Sequence, residues 1–303
     1  MGKTWLRVRV DELNLPVADF QFGFAKEKST RDCIAMKGCL WERLTKMPNL
    51  SCCEQFWDQS KAFDELSKEE QVQAVADHNP SRTDIVNEIK DHLANNVVEV
   101  QGNFFHTKCG VPQGGTLGPA LFRTTFDKNI KEWKEEREQS LLPRQVKLIA
   151  EHKIFEGGTE EVDCSTGSYA DDVAHTSASW SRAELEEIAI NNTLKLKTNV
   201  KKINMKTNDE KGEIILHTRG TGAPGSYNKW FTGGWRGTEG PKLQAKHLGV
   251  QRRGDNNTNI EMKIRIKKAR DCYAMYSKFF NKPGVKMFTK KRIFEAIVLG
   301  TMG

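Results

Sequence analysis

The stretch GSYADDVAH, residues 167–175, decides the reading of this chain, because two adjacent acids, Asp171 and Asp172, sit between runs with strand character. Residues 162–175 read as strand, tight turn, strand, with the acids at the turn. Neighbouring carboxylates raise each other's pKa, and a divalent cation removes that penalty. Alone, an Asp-Asp pair in a turn is more often a solvated turn. Upstream, the run CCEQF at 52–56, followed by Trp57 and Asp58, reads as a buried strand with a polar tip. Carboxylates projected from neighbouring strand ends can hold two Mg²⁺ ions about 3.5–4 Å apart, an arrangement that clamps the attacking and leaving oxygens of phosphoryl transfer.

Outward from these sites the pattern alternates irregularly between strands and helices. Residues 5–10 look strand-like, and a helix opens near Ser29 and Thr30. Ser67 with Glu70, and Ser181 with Glu184, have capping-box spacing. Ile85, Ile89 and Leu93 recur at helical spacing, and Leu185, Ile188, Ala189 and Leu196 give a second inner face. Val97, Val98 and Val100, then Gly102 and Asn103, then Phe104 and Phe105 predict a β-hairpin. Residues 117–133 predict a long helix, and Ile214, Ile215 and Leu216 another strand. Residues 218–241 read as a Gly-rich loop whose Tyr227, Trp230, Phe231 and Trp235 pin it to the body, with base stacking as the less common use. Two basic helical stretches follow, at 260–280 and 290–299. No regular βαβ rhythm appears, so the fold class is α+β, with helices packed on an antiparallel sheet.

The bulk numbers narrow the function classes. The 303 residues can bury a sizeable core, and 37% hydrophobic with 29% charged residues describes a globular chain. No run approaches the roughly 18 apolar residues of a membrane span. The N-terminus lacks the apolar core of a secretory signal, so we expect an intracellular protein, nuclear or cytoplasmic, without membrane contact. Seven cysteines, at 33, 39, 52, 53, 109, 164 and 272, show neither CxxC spacing nor a finger-like histidine partner, which argues against structural zinc and disulfides. Residues 241–303 carry fifteen Lys/Arg against four Asp/Glu, a net of +11, while the whole chain carries +7. A basic segment beside an acidic remainder suits a protein that holds a polyanion near carboxylate-bound metal.

The motifs, taken in order, resemble those of a known family. Asp58 with Phe63 inside SKAFD (60–64) resembles motif A of the reverse transcriptases of non-LTR, LINE-type retrotransposons. GVPQGGTLGPALF (110–122) looks like their motif B, YADD (169–172) their motif C, and Asn208 to Lys211 the Asn-x-x-Lys of motif D. HLGV (247–250) is similar to the primer grip, and QFGFAKEKST (21–30) resembles the fingers motif that precedes motif A.

The resemblance implies a right-hand polymerase palm with partial fingers and the start of a thumb. Residues 1–50 would be partial fingers, 51–245 the palm with a fingers insertion, and 246–303 the primer-grip region and start of a thumb. It implies an RNA-directed DNA polymerase that extends a primer 3′-OH with dNTPs on an RNA template. Asp58 and Asp171 would be the principal ligands of two Mg²⁺ ions, with Asp172 a less direct carboxylate. Lys211 would protonate pyrophosphate, and Phe63 would exclude a 2′-OH. Gln113 and Gly114 would pack against the template and nascent pair, and Tyr169 and Ala170 would line the site.

Departures are also visible. Ala25 stands where the family carries Arg, and the usual Arg-Pro-Ile-like strand is not seen ahead of it. The chain ends at Gly303 where a thumb would continue, so a shortened copy is expected. A catalytically inactive nucleic-acid-binding remnant is one alternative. Gly115, shared with group II intron relatives, keeps a maturase-like RNA-binding protein as another.

Overall fold

The computed structural model describes residues 12–111, 117–138, 147–152, 158–233 and 240–301. The expected strand at 5–10, the motif B residues Gln113, Gly114 and Gly115, and Trp235 lie outside the described residues.

The chain opens with α1 (Thr30–Lys46), β1 (Ser51–Trp57), β2 (Gln59–Ser60), α2 (Ala62–Glu65), α3 (Lys68–His78) and α4 (Thr83–Ala94). The hairpin β3 (Val97–Val100) and β4 (Asn103–His106) leads to α5 (Leu117–Glu138). Then come β5 (Lys147–His152), β6 (Gly158–Asp163), β7 (Thr166–Tyr169), β8 (Asp172–Ser179) and α6 (Arg182–Lys202). The last third holds β9 (Lys206–Thr207), β10 (Glu213–His217), α7 (Ala223–Gly233), β11 (Gln244–His247) and β12 (Val250–Arg253). Three helices, α8 (Asn259–Met275), α9 (Ser277–Phe280) and α10 (Met287–Ile293), run to a π turn at Phe294–Val298.

The centre is a four-stranded antiparallel sheet in the order β10-β1-β8-β7. Both of its faces are covered, because the side chains of β1 alternate. Cys52 and Phe56 pack with Leu40, Trp41 and Leu44 of α1. Cys53 packs with Leu185 and Ala189 of α6. Both outer strands are extended by single bridges, Gln21 to Ser168 on β7 and Lys242 to Ile215 on β10.

The caps explain where the helices start. Ser29 and Asp32 form a full capping box at α1, with Asp32 Oδ2 accepting from Ser29 N–H at 2.7 Å. At Ser67 and Ser181 the serine half of the box is present, each Oγ accepting from the N–H three residues on. The Glu184 carboxylate is engaged by the Ser179 hydroxyl.

One expectation is corrected. The stretch 218–241 is not all loop, since α7 occupies Ala223–Gly233. Trp230 is buried against Cys53, Leu185 and Ile214, and its indole N–H donates to Glu186 Oε2 at 3.0 Å. That contact supplies the apolar anchor that turns a Gly- and Ser-containing segment into a helix. Among the described residues, no helix is long and apolar enough to cross a membrane.

The strand run CCEQF also hides a charge. Glu54 is fully buried in mid-strand. Its carboxylate meets Lys37 Nζ of α1 at 3.3 Å and Arg252 Nη2 of β12 at 2.7 Å. Burial works to raise the Glu54 pKa, but the Arg252 and Lys37 charges hold it below the ordinary carboxylate range. Lys37 also donates to Ser165 O at 2.9 Å and to Thr176 Oγ1. Pairing with two cations offsets the cost of burying this charge in the core.

Candidate active site

The site is built by sheet register. Trp57 pairs with Val173 across β1 and β8, so the next residues along, Asp58 and Asp172, fall side by side at the strand ends. Tyr169 pairs with Asp172, which leaves Ala170 and Asp171 as the two-residue turn of the β7–β8 hairpin. Asp58 is therefore brought from more than a hundred residues away to the adjacent pair Asp171 and Asp172, at one end of the central strands. Asp58, Asp171 and Asp172 are all partly exposed.

Their electrostatics follow from crowding. Burial pushes Asp172 up to about 6, and the charges of Asp171 and Asp58 push the same way. Asp58 is within hydrogen-bonding reach of Asp172. Asp171 is raised by burial and by the Asp58 charge, against its own backbone hydrogen bond. One cation answers them. Lys211 Nζ lies 2.9 Å from Asp58 Oδ2, and that hydrogen bond raises the lysine pKa. Two backbone links carry Lys211 there: β2 pairs with β9, and Asn208 N–H donates to Asp58 O at 2.8 Å.

Among the described residues, no three His, Cys, Asp or Glu side chains are grouped so as to hold a metal ion by themselves. The donor set nonetheless fits a hard divalent cation, since it is all carboxylate oxygen and carries mutual repulsion that a cation would relieve. Added Mg²⁺ should raise the melting temperature, and more at pH 7.5 than at pH 5.5. An acid whose folded pKa is raised to about 6 is penalised above that pH and relieved by protonation below it. Thermal melts with and without added Mg²⁺ at the two pH values check this; an equal gain at both would contradict it.

The other predicted residues are placed as follows. Phe63 lies in α2, half-buried, stacked on Phe122 at 4.2 Å between ring centroids and edge-on to Phe24 at 5.8 Å. Tyr169 packs against the cluster of Phe20, Trp57, Phe126 and Trp133 beneath the turn. Ala170 is buried with φ +56°. Gly110 fastens the start of motif B to motif A. Its N–H donates to Leu66 O at 2.8 Å, and Val111 N–H to Phe63 O at 2.7 Å. A Cβ at Gly110 would meet Asp64 O at 2.7 Å, so only glycine allows this approach. HLGV forms the β11–β12 turn, with Leu248 and Gly249 both at positive φ. His247 is buried on Phe56 at 4.8 Å, and burial pushes its imidazole down to about 4.

Sequence reasoning missed the groups that hold this frame. Glu54, Lys37 and Arg252 tie α1, the sheet and the β11–β12 hairpin into one unit. Their only sequence signal was a lone acid inside an otherwise apolar strand. Gln21 and Asp127, which touch each other beneath the turn, were also missed as a pair.

Comparisons with known proteins agree with this frame. The family model described as reverse transcriptase (RNA-dependent DNA polymerase) matches residues 6–252. A search of the curated proteins gave no match. Among solved structures, apo telomerase from Candida tropicalis truncated from the C-terminal domain aligns at 11% identity and TM-score 0.52, over 84% of this chain and 43% of that one. Apo telomerase from the same organism aligns at 11% identity and TM-score 0.48, over 99% of this chain and 48% of that one. The chain thus spans less than half the length of these telomerases, and at 11% identity the likeness to the truncated one concerns the fold alone. With a family model covering most of its length and a palm-like antiparallel sheet beneath three clustered aspartates, the chain belongs to the reverse transcriptase family.

Proposed function

We propose that the chain is an RNA-directed DNA polymerase domain of the non-LTR type, extending the 3′-OH of a DNA primer with dNTPs on an RNA template. The observation that carries this reading is the β1–β8 register, which sets Asp58 beside Asp172, one residue from Asp171. Asp58 and Asp171 would hold two Mg²⁺ ions, with Asp172 as a nearby carboxylate. When bound, the metal supplies Lewis acidity and neutralises developing phosphate charge.

The chain's own residues do the rest. Lys211 is placed at the carboxylates and protonates the leaving pyrophosphate as general acid. Phe63 stands beneath the sugar, held by Phe122, and excludes a 2′-OH. The motif B resemblance would set Gln113 and Gly114, which lie outside the described residues, against the template. The basic segment 241–303 meets the primer–template backbone through contacts that weaken with salt. A second reading, a non-catalytic nucleic-acid-binding remnant, is favoured by one observation, Ala25 where the family carries Arg.

Extension of oligo(dT) on poly(rA) separates the two. The polymerase reading expects Mg²⁺-dependent extension that EDTA abolishes. A chain that binds the hybrid yet adds no nucleotide with Mg²⁺ or Mn²⁺ would leave only the remnant. Phe63→Val should raise ribonucleotide incorporation relative to dNTP by roughly tenfold or more, the scale on which a pocket discriminates by volume. An unchanged ratio in competition assays would remove Phe63 from the gate.

A further inference from the structure

The QFGF segment (21–24) does more than precede motif A. Its backbone runs beside β7, with Phe22 N–H donating to Ser168 O at 2.8 Å and Ser168 N–H to Phe20 O at 2.7 Å. The Gln21 side chain is fully buried and turned into the catalytic hairpin. Its Oε1 accepts from Ala170 N–H at 3.1 Å and from Gly23 N–H at 2.8 Å. Its Nε2 donates to Asp127 Oδ1 at 2.9 Å, with longer contacts of 3.4 Å to Ser168 Oγ and Ala170 O.

Ala170 is the residue that requires such support. It takes a left-handed φ of +56° between Tyr169 and Asp171, a conformation that costs a residue with a Cβ and persists only where its surroundings fix it. Gly23 closes on the same atoms, because a Cβ there would lie 2.2 Å from Ala170 N. The segment is itself anchored. Lys28 Nζ donates to the carbonyls of Ala18 and Gln21, and Arg123 to those of Leu15 and Phe24. Asp127 Oδ2 accepts from Ala18 N–H at 3.2 Å, so one α5 carboxylate orients both the segment and the Gln21 amide.

Resting on the polymerase reading above, we propose that Gln21 is a positioning residue for the catalytic turn. Its carboxamide, oriented by Asp127, locks Ala170 in the left-handed form and so sets where the Asp171 and Asp172 carboxylates point. Specificity lies in the polarity of the amide: Oε1 must face Ala170 N–H, and Nε2 must face Asp127.

The test uses Gln21→Leu, Gln21→Glu, and Gln21→Glu combined with Asp127→Asn. The first removes the clamp. The second sets two carboxylates face to face. The third moves the donor to position 127 and restores the hydrogen bond. Two readouts need no turnover: amide exchange at residues 169–172, and Mn²⁺ affinity by electron paramagnetic resonance. Both single variants should speed exchange at Ala170 and weaken Mn²⁺ about 10–100-fold, the usual penalty for losing a group that orients metal ligands. The double variant should return both values close to wild type. Unchanged exchange in Gln21→Leu, or a double variant no better than Gln21→Glu, would overturn the clamp. Should Gln21→Leu fail to fold, the comparison of Gln21→Glu with the double variant decides alone. A wild type that extends no primer while the exchange pattern holds would overturn the polymerase reading and leave the clamp standing.

Discussion

Replacing Asp171 with alanine should lower primer extension by about 10³-fold or more, the scale of losing a group that acts on developing charge in the transition state. The same change should raise the melting temperature measured in EDTA. Asp171 is raised by burial and by the Asp58 charge, so at pH 7 its ionised form works against the fold. Removing it relieves Asp172 as well, whose pKa it helps to push up. Loss of activity together with a gain in stability marks a functional carboxylate and separates it from a structural one, where both would fall. Extension at the wild-type rate in Asp171→Ala would remove this residue from the catalytic set.

The largest effect on stability should come from the buried charge cluster in the middle of β1. Glu54→Ala should cost about 3–5 kcal/mol, because it leaves buried Lys37 and Arg252 without their counter-charge. Urea unfolding of the two proteins gives the number. Replacing all three groups together by apolar residues of similar volume should cost far less, since no unpaired charge remains. The pH dependence has a defined sign. A carboxylate whose folded pKa lies below its ordinary 4.5 stabilises above that pH, and the contribution fades as pH falls through the folded value. Glu54→Gln should therefore flatten the acid limb of the stability curve below about pH 4.5. A loss under about 1 kcal/mol in Glu54→Ala would mean the cluster is hydrated and exchangeable.

Much of this arrangement was legible in the sequence. The strands at 52–56 and 214–216, the hairpin at 97–105, the long helix after Leu117 and the acids at 58, 171 and 172 all carry local signals of periodicity, turn chemistry or capping. The family motifs then placed them in order. What the sequence could not show is pairing. Nothing local says that Trp57 aligns with Val173, yet that register alone makes Asp58 and Asp172 neighbours. Glu54 looked like an interruption in an apolar run, because its two partners lie 17 residues before it and 198 residues after it. The α7 helix was missed for a related reason. Its glycine and serine content argues for a loop, and only the tertiary burial of Trp230 overrides that.

The single bridges flanking the central sheet have a bearing on how this molecule meets its own kind. An outermost strand with bare amides and carbonyls invites a foreign strand to add itself, the usual first step toward aggregates. Here Phe20 and Phe22 supply the backbone hydrogen bonds to Ser168, and Lys242 N–H is spent on Ile214 O at 2.6 Å. Two short, irregular strips of chain, one of them carrying a lysine, thus occupy part of each border of the sheet and leave less of it for a foreign strand.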